Sequence, residues 1–125
     1  MSCETRINDQ LESVLDDLRS MLRGNGEESL CEYGLSFDYV PAHTFDGQRE
    51  GYFRYQLSWG GPSDEFRFFT EPKLSCHRIE YWFLDWFDGA SRTLDGNAEQ
   101  LLIEVWDWFH EMGCIEAALS QASVT

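Results

Sequence analysis

Carboxylates at helical spacing are the residues of this sequence best placed to act on another molecule. Glu104, Asp107 and Glu111 recur at spacings of three and four residues, which places their Cβ atoms about 5–6 Å apart on one face of a helix. Successive phosphates along one strand of a nucleic-acid duplex are separated by a comparable distance, on the order of 6–7 Å. A rigid row of carboxylates can therefore imitate a phosphate backbone in front of a basic groove. A solvated helix face is the alternative interpretation.

Acidic charge is concentrated towards the C-terminal end of the chain. The 125 residues include 23 acidic and 9 basic side chains, a formal net charge of −14. Residues 79–125 contain nine acidic side chains and one basic side chain, whereas residues 51–78 contain three and four. Such a chain repels DNA, RNA and anionic membranes, so we expect a basic protein partner and no direct nucleic-acid binding. The acidic residues predicted to contact it are Asp85, Asp88, Asp95, Glu99, Glu104, Asp107 and Glu111.

Catalytic and metal-binding patterns are weak. Cys76 and His77 are adjacent in the sequence, but neighbouring residues of a strand point to opposite faces of the sheet, which disfavours a nucleophile and base pair. The four cysteines fall in no Cys-x-x-Cys spacing, and Asp85, Asp88 and Asp95 do not match a calcium loop. We therefore predict a protein that is not an enzyme, with no metal and no cofactor. A small enzyme or ligand binder that uses the region of Cys76 and His77 and the aromatic pocket is an alternative.

Two amphipathic helices are predicted to carry much of the core. Residues 5–23 place apolar side chains at spacings of three and four, and the glycines of 24–26 are expected to end this helix. The second helix, residues 97–112, has one broad apolar face opposite the acidic row. Residues 115–122 are expected to add a short further turn.

Four strands are predicted between the helices, at residues 30–40, 52–59, 65–70 and 78–89. Residues 42–50 are predicted to form a loop, 60–64 a turn, and 89–96 a polar connector. Short connections between successive strands favour an antiparallel meander. We therefore predict a single domain over residues 1–125, of the α+β class, in two layers, with both helices packed on one face of a four-stranded sheet.

The two faces of the predicted sheet differ. The face that carries Ile79, Tyr81 and Phe83 is expected to pack against the helices. On the other face, the fourth strand carries an apolar row that would contact a partner or a second copy of the chain if it is exposed. This row consists of Trp82, Leu84 and Trp86. The remaining residues of that face are expected to point to solvent, and they are Ser36, Asp38, Arg54, Gln56, Ser58, Glu65 and Arg67.

The location expected from the sequence is the cytoplasm. No apolar run follows the N-terminal residues, so no signal peptide is predicted. No window approaches the roughly 18 apolar residues of a membrane span. The cysteines are accordingly expected to be reduced thiols.

The central block resembles known groups of small proteins. Residues 57–69 and 79–89 resemble small uncharacterised proteins carried on plasmids and integrative elements. The small, acidic, aromatic-rich chain also resembles phage and mobile-element inhibitors of host defence, the anti-restriction and anti-CRISPR proteins, several of which are DNA mimics. The resemblance implies a non-enzymatic inhibitor that occupies the basic DNA- or RNA-binding site of a CRISPR effector or restriction enzyme. The alternative is an immunity or antitoxin-like module that neutralises a basic toxin.

Overall fold

Helices flank a run of strands in this chain. The structure is a computed structural model that describes residues 3–23, 34, 36–58, 63–71, 74–85 and 88–123. The predicted helix end at 24–26, the predicted strand residues 30–33, 35 and 59, the turn at 60–62 and Trp86 lie outside the described residues. In chain order the elements are α1 (Cys3–Leu22), β1 (Ser36–Val40), β2 (Tyr52–Ser58), β3 (Ser63–Thr70), β4 (Cys76–Asp85), β5 (Asp88–Thr93), α2 (Gly96–Glu111) and α3 (Cys114–Ser123).

The strands form one five-stranded antiparallel sheet in the order β1-β2-β3-β4-β5. The α+β class and the meander are confirmed, but the predicted number of four strands is wrong. The fifth strand, β5, consists mostly of residues that were predicted to form a polar connector. In this strand Ala90 pairs with Phe83 and Arg92 pairs with Tyr81. Small and polar side chains dominate β5, so the strand has no apolar alternation. Hydrogen bonding to the backbone of β4 holds it in the sheet.

The C-terminal region contains two helices where one helix and a short turn were predicted. Gly113 has a φ of 78°, and this left-handed conformation, which suits glycine, lets the chain turn between α2 and α3. Ile115 and Ala118 of α3 are buried in the core, and α3 packs against β1. No helix in the described part of the chain is long and apolar enough to cross a membrane.

The sheet face covered by the helices, called the inner face here, holds the main core. Two aromatic side chains of α2 insert into it. The Phe109 ring stacks on Phe37 with a centroid separation of 4.3 Å and meets the Tyr55 ring edge-on with a centroid separation of 4.9 Å. The ring centroids of Trp106 and Phe53 are 5.1 Å apart. The predicted alternation is confirmed for the buried inner-face residues Phe53, Tyr55, Phe66, Phe68, Ile79, Tyr81 and Phe83.

A carboxylate is buried at the beginning of β3. Asp64 was predicted to belong to a turn, but it is 2% exposed and lies opposite Phe83 on the inner face. The hydroxyl of Tyr81 donates to one of its oxygens at 2.6 Å, and the hydroxyl of Ser58 donates to the other. The side chain of Gln56 donates to the backbone carbonyl oxygen of Asp64 at 3.1 Å. Asp64 therefore ties β2 and β4 to β3 through hydrogen bonds.

We expect Asp64→Ala to lower the free energy of unfolding by about 3 kcal/mol, because it leaves the hydroxyls of Tyr81 and Ser58 without an acceptor. Urea unfolding monitored by circular dichroism measures this change. Asp46→Ala, in an exposed loop, is the control and should stay within about 0.5 kcal/mol of the parent. An equally small effect for Asp64→Ala would contradict the structural role given to this carboxylate.

Candidate functional site

The acidic row predicted on the second helix lies on the exposed side of α2. Glu104, Asp107 and Glu111 are all exposed, while α2 buries its opposite side, including Trp106 and Phe109. Within the described residues, none of the three carboxylates forms an ion pair. The row is therefore a run of uncompensated negative charge on a helix that aromatic packing holds in place.

Five of the eight arginines form ion pairs with other carboxylates of the described residues, so few cations remain to pair with the row. Three of the paired arginines lie on the side of the sheet away from the helices, called the outer face here, and two lie on α1. The five arginines and their carboxylate partners are Arg6 with Asp85, Arg19 with Asp16, Arg54 with Asp38, Arg67 with Glu65, and Arg78 with Glu50 and Glu80. Arg19 and Arg23, near the C-terminal end of α1, line a groove with Glu104.

The predicted acidic residues separate into two groups in the structure. Asp85 and Asp88 pair where β4 meets β5, and Asp85 forms an ion pair with Arg6 of α1. Asp95 lies beyond the other end of β5, next to Leu94, whose N–H donates to the carbonyl of Ile79 at 2.9 Å. Asp95, together with Glu99 and the row on α2, forms the second group. The two groups lie at opposite ends of the hairpin of β4 and β5.

The outer face is a packed layer of rings and charges, which corrects the expectation that its polar residues point to solvent. Gln56 and Glu65 are only 5% and 4% exposed. The guanidinium of Arg67 lies 4.0 Å from the ring centroid of Trp82 and 4.7 Å from that of Tyr52, and its Nε donates to Glu65 at 2.7 Å. The arginine thus neutralises a buried carboxylate and covers two aromatic rings at once.

The predicted apolar row on β4 is covered in part by the chain itself. Trp82 is half-buried beneath Arg67, and its indole N–H donates to Glu80 at 2.9 Å. Leu84 is half-buried beside Gly89 of β5. Trp82 lies on the outer face, so it does not share a surface with the acidic row on α2.

A cavity of about 470 Å³ lies at one end of the outer face, beneath the loop of residues 41–50. The Gln48 side chain braces this loop, because it donates to the carbonyls of Pro41 at 3.0 Å and Glu50 at 2.8 Å and accepts from the N–H of Phe45 at 3.1 Å. Phe45 is 52% exposed at the rim. The cavity is lined by Phe45, Asp46, Gly47, Gln48, Arg49, Glu50, Tyr52, Arg67, Phe69, Glu80 and Trp82.

Tyr52 is the residue of this cavity that sequence reasoning missed. The side chain is 2% exposed, and its hydroxyl has no hydrogen-bond partner among the described residues. Burial raises the pKa of Tyr52, so the hydroxyl keeps its proton at neutral pH and is a donor. The available signal was an aromatic residue at an outward position of β2, and its ring contacts that of Phe69 on β3 with a centroid separation of 5.6 Å.

We expect Tyr52→Phe to raise the free energy of unfolding by about 1 kcal/mol, because it removes a buried donor that has lost water without gaining an acceptor. Tyr81→Phe is the matched comparison, since it deletes a hydroxyl bonded to Asp64 and should lower the same quantity by about 1–2 kcal/mol. Urea unfolding of both variants measures the difference. A clear loss of stability in Tyr52→Phe would show that its hydroxyl has a partner.

Cys76 lines a smaller cavity of about 270 Å³ together with Asp107 and His110. Burial raises the pKa of the Cys76 thiol to about 11, and the negative charges of Glu99 and Asp107 add to the effect. The thiol also donates to the carbonyl of Arg78 at 3.8 Å. A nucleophilic cysteine requires a depressed pKa, so this arrangement does not activate Cys76. No three acidic, histidine or cysteine side chains of the described residues are grouped to hold a metal ion.

We expect Cys76 to resist iodoacetamide at pH 8, where roughly one thiol in a thousand is ionised at a pKa of about 11. The alkylation rate should rise about tenfold per pH unit until the pH approaches that pKa. Mass spectrometry of the peptide that contains Cys76 measures the rate, with the same peptide alkylated in urea as the control. A plateau below pH 9 would contradict the raised pKa.

Comparisons with known proteins yield no relative. No protein-family model, curated protein or solved structure matches this chain.

Proposed function

We propose that the chain is a non-enzymatic inhibitor of a nucleic-acid-binding defence complex in the cytoplasm of a host cell. The carboxylate row of Glu104, Asp107 and Glu111 occupies the basic groove in which a CRISPR effector or a restriction enzyme binds DNA or RNA. The observation that carries the proposal is the exposure of these three side chains without an ion pair among the described residues.

Rigidity makes the row suitable for imitating phosphates. Trp106 and Phe109 anchor α2 in the aromatic core, so the carboxylates are held at helical spacing before the partner arrives. Pre-organisation reduces the entropy lost on binding. Like charges at this spacing repel each other by a few tenths of a kcal/mol per pair, and a row of lysines and arginines on the partner relieves that repulsion.

The other predicted acidic residues contribute unequally. Asp95 precedes the same helix and Glu99 lies in its first turn, but Glu99 is half-buried and is turned about 140° around the helix from Glu104, so neither continues the row. Asp85 and Asp88 lie at the far end of β5, roughly 17 Å from Thr93 at about 3.4 Å per residue, and Asp85 is already neutralised by Arg6. Local mimicry by α2, rather than imitation of a long duplex by the whole surface, is therefore the proposed mode of binding.

Reversal of the acidic row tests the proposal. The tagged protein captures its target from a host extract at low salt, about 50 mM, and releases it at about 500 mM, because contacts between exposed charges are screened. Glu104→Lys, Asp107→Lys and Glu111→Lys, combined in one variant, should abolish capture. The parent protein should also compete with labelled duplex DNA for the captured complex.

A matched control is available on α1. Asp9, Glu12 and Asp16 are exposed and have the same spacings of three and four, so their combined reversal changes the net charge equally. This control should keep most of the capture, since the proposed contact is specific to α2. Equal loss in both variants would show that net charge alone drives binding and would contradict the proposal. Capture of a small basic toxin in place of a nucleic-acid-binding complex would support the immunity-module alternative.

A further inference from the structure

The cavity on the outer face has the size and composition of a small-molecule site. Its volume of about 470 Å³ falls within the range of about 300–1,000 Å³ that is usual for ligand pockets. Aromatic side chains line it, from Tyr52 and Phe69 on the sheet to Phe45 on the braced loop. The cavity lies on the side of the sheet away from α2, so it is independent of the proposed inhibitory surface.

Two side chains at this cavity carry donor groups for which the described part of the chain supplies no acceptor. The Tyr52 hydroxyl is buried and unpartnered. Arg67 donates through Nε to Glu65, and no acceptor for its terminal nitrogens is found among the described residues. The Arg67 guanidinium also lies over the Tyr52 ring at 4.7 Å. Neighbouring donors without acceptors favour a ligand that supplies an oxygen acceptor.

A cationic ligand is disfavoured by the guanidinium groups of Arg67, in the cavity wall, and of Arg78, beside it. Arg67 lies over the rings of Tyr52 and Trp82, and Arg78 lies 3.9 Å from the ring centroid of Phe69. A ligand cation would meet these guanidinium groups where it seeks an aromatic face. Of the three lining carboxylates, those of Glu50 and Glu80 are already paired with Arg78, and only that of Asp46, on the exposed loop, forms no ion pair with the described residues.

We propose that this cavity binds a small molecule with a flat apolar body and a carboxylate or carbonyl oxygen. The oxygen accepts from the Tyr52 hydroxyl and the Arg67 guanidinium, and the apolar body packs against Phe45 and Phe69. Arg49 at the rim is exposed and forms no ion pair with the described residues, so it adds positive charge for a carboxylate. Binding satisfies the Tyr52 hydroxyl, which is buried without a partner among the described residues.

Three probes of one ring size test the proposal by nuclear magnetic resonance of the ¹⁵N-labelled full chain. Benzoate and benzamide carry the oxygen acceptor, and benzylamine carries a cation instead. Saturable shifts of the Trp82 indole N–H and of backbone amides in residues 45–50 are expected with the first two and not with benzylamine. A lost hydrogen bond of about 1 kcal/mol predicts affinity about five-fold weaker in Tyr52→Phe.

Tyr39→Phe is the control, because it deletes the same hydroxyl from a half-buried tyrosine of the inner face. Its affinity for benzoate should equal that of the parent. The proposal is overturned if benzoate and benzamide give no saturable shift up to about 10 mM, the weak end of fragment affinity. It is also overturned if benzylamine binds equally well, or if folded Tyr52→Phe keeps the parent affinity. Because none of these outcomes involves α2, they leave the inhibitor proposal untouched.

Discussion

The structure depends on covering a sheet that is rich in aromatic side chains on both faces. On the inner face the helices do this, with Trp106 and Phe109 of α2 inserted among the rings of the strands. No helix covers the outer face in the described part of the chain. There, Arg67 and Arg78 lie over the rings of Tyr52, Trp82 and Phe69 and pair with neighbouring carboxylates. Arginine combines an apolar planar surface with a charge, so it can shield rings and still face water.

The use of arginines to cover the outer face determines where negative charge remains uncompensated in the molecule. With only 9 basic residues in the chain, ion pairs on the outer face leave few cations to compensate the helices. The carboxylates of Glu104, Asp107 and Glu111 accordingly stay exposed and without ion pairs among the described residues. The negative surface of α2 and the donor-rich cavity beneath the loop of residues 41–50 thus have a common origin, although they lie on opposite sides of the sheet.

Sequence reasoning succeeded where periodicity is strong and failed where contacts between distant residues decide the outcome. The helical spacing of α1 and α2 and the inner-face alternation of Phe53, Tyr55 and Tyr81 could be read directly. Strand β5 could not, because residues such as Gly89 and Ala90 carry no apolar alternation and enter the sheet through backbone hydrogen bonds. Asp64 follows residues typical of a turn, and its burial is compensated by hydrogen bonds from Ser58 and from Tyr81, which is distant in sequence.

The sequence by itself determined the α+β class, the meander order of the strands and the row of carboxylates on the second helix. The class and the carboxylate row follow from the spacing of residues within single elements, and the meander order follows from the short connections between successive strands. Only the tertiary structure decided that Asp85 is neutralised by Arg6 and lies at the opposite end of β5 from Asp95. It also decided that Arg67 covers Trp82 and that Tyr52 is buried without a partner among the described residues. These outcomes depend on strand register and on which side chain reaches across the sheet, and no spacing within a single element encodes either.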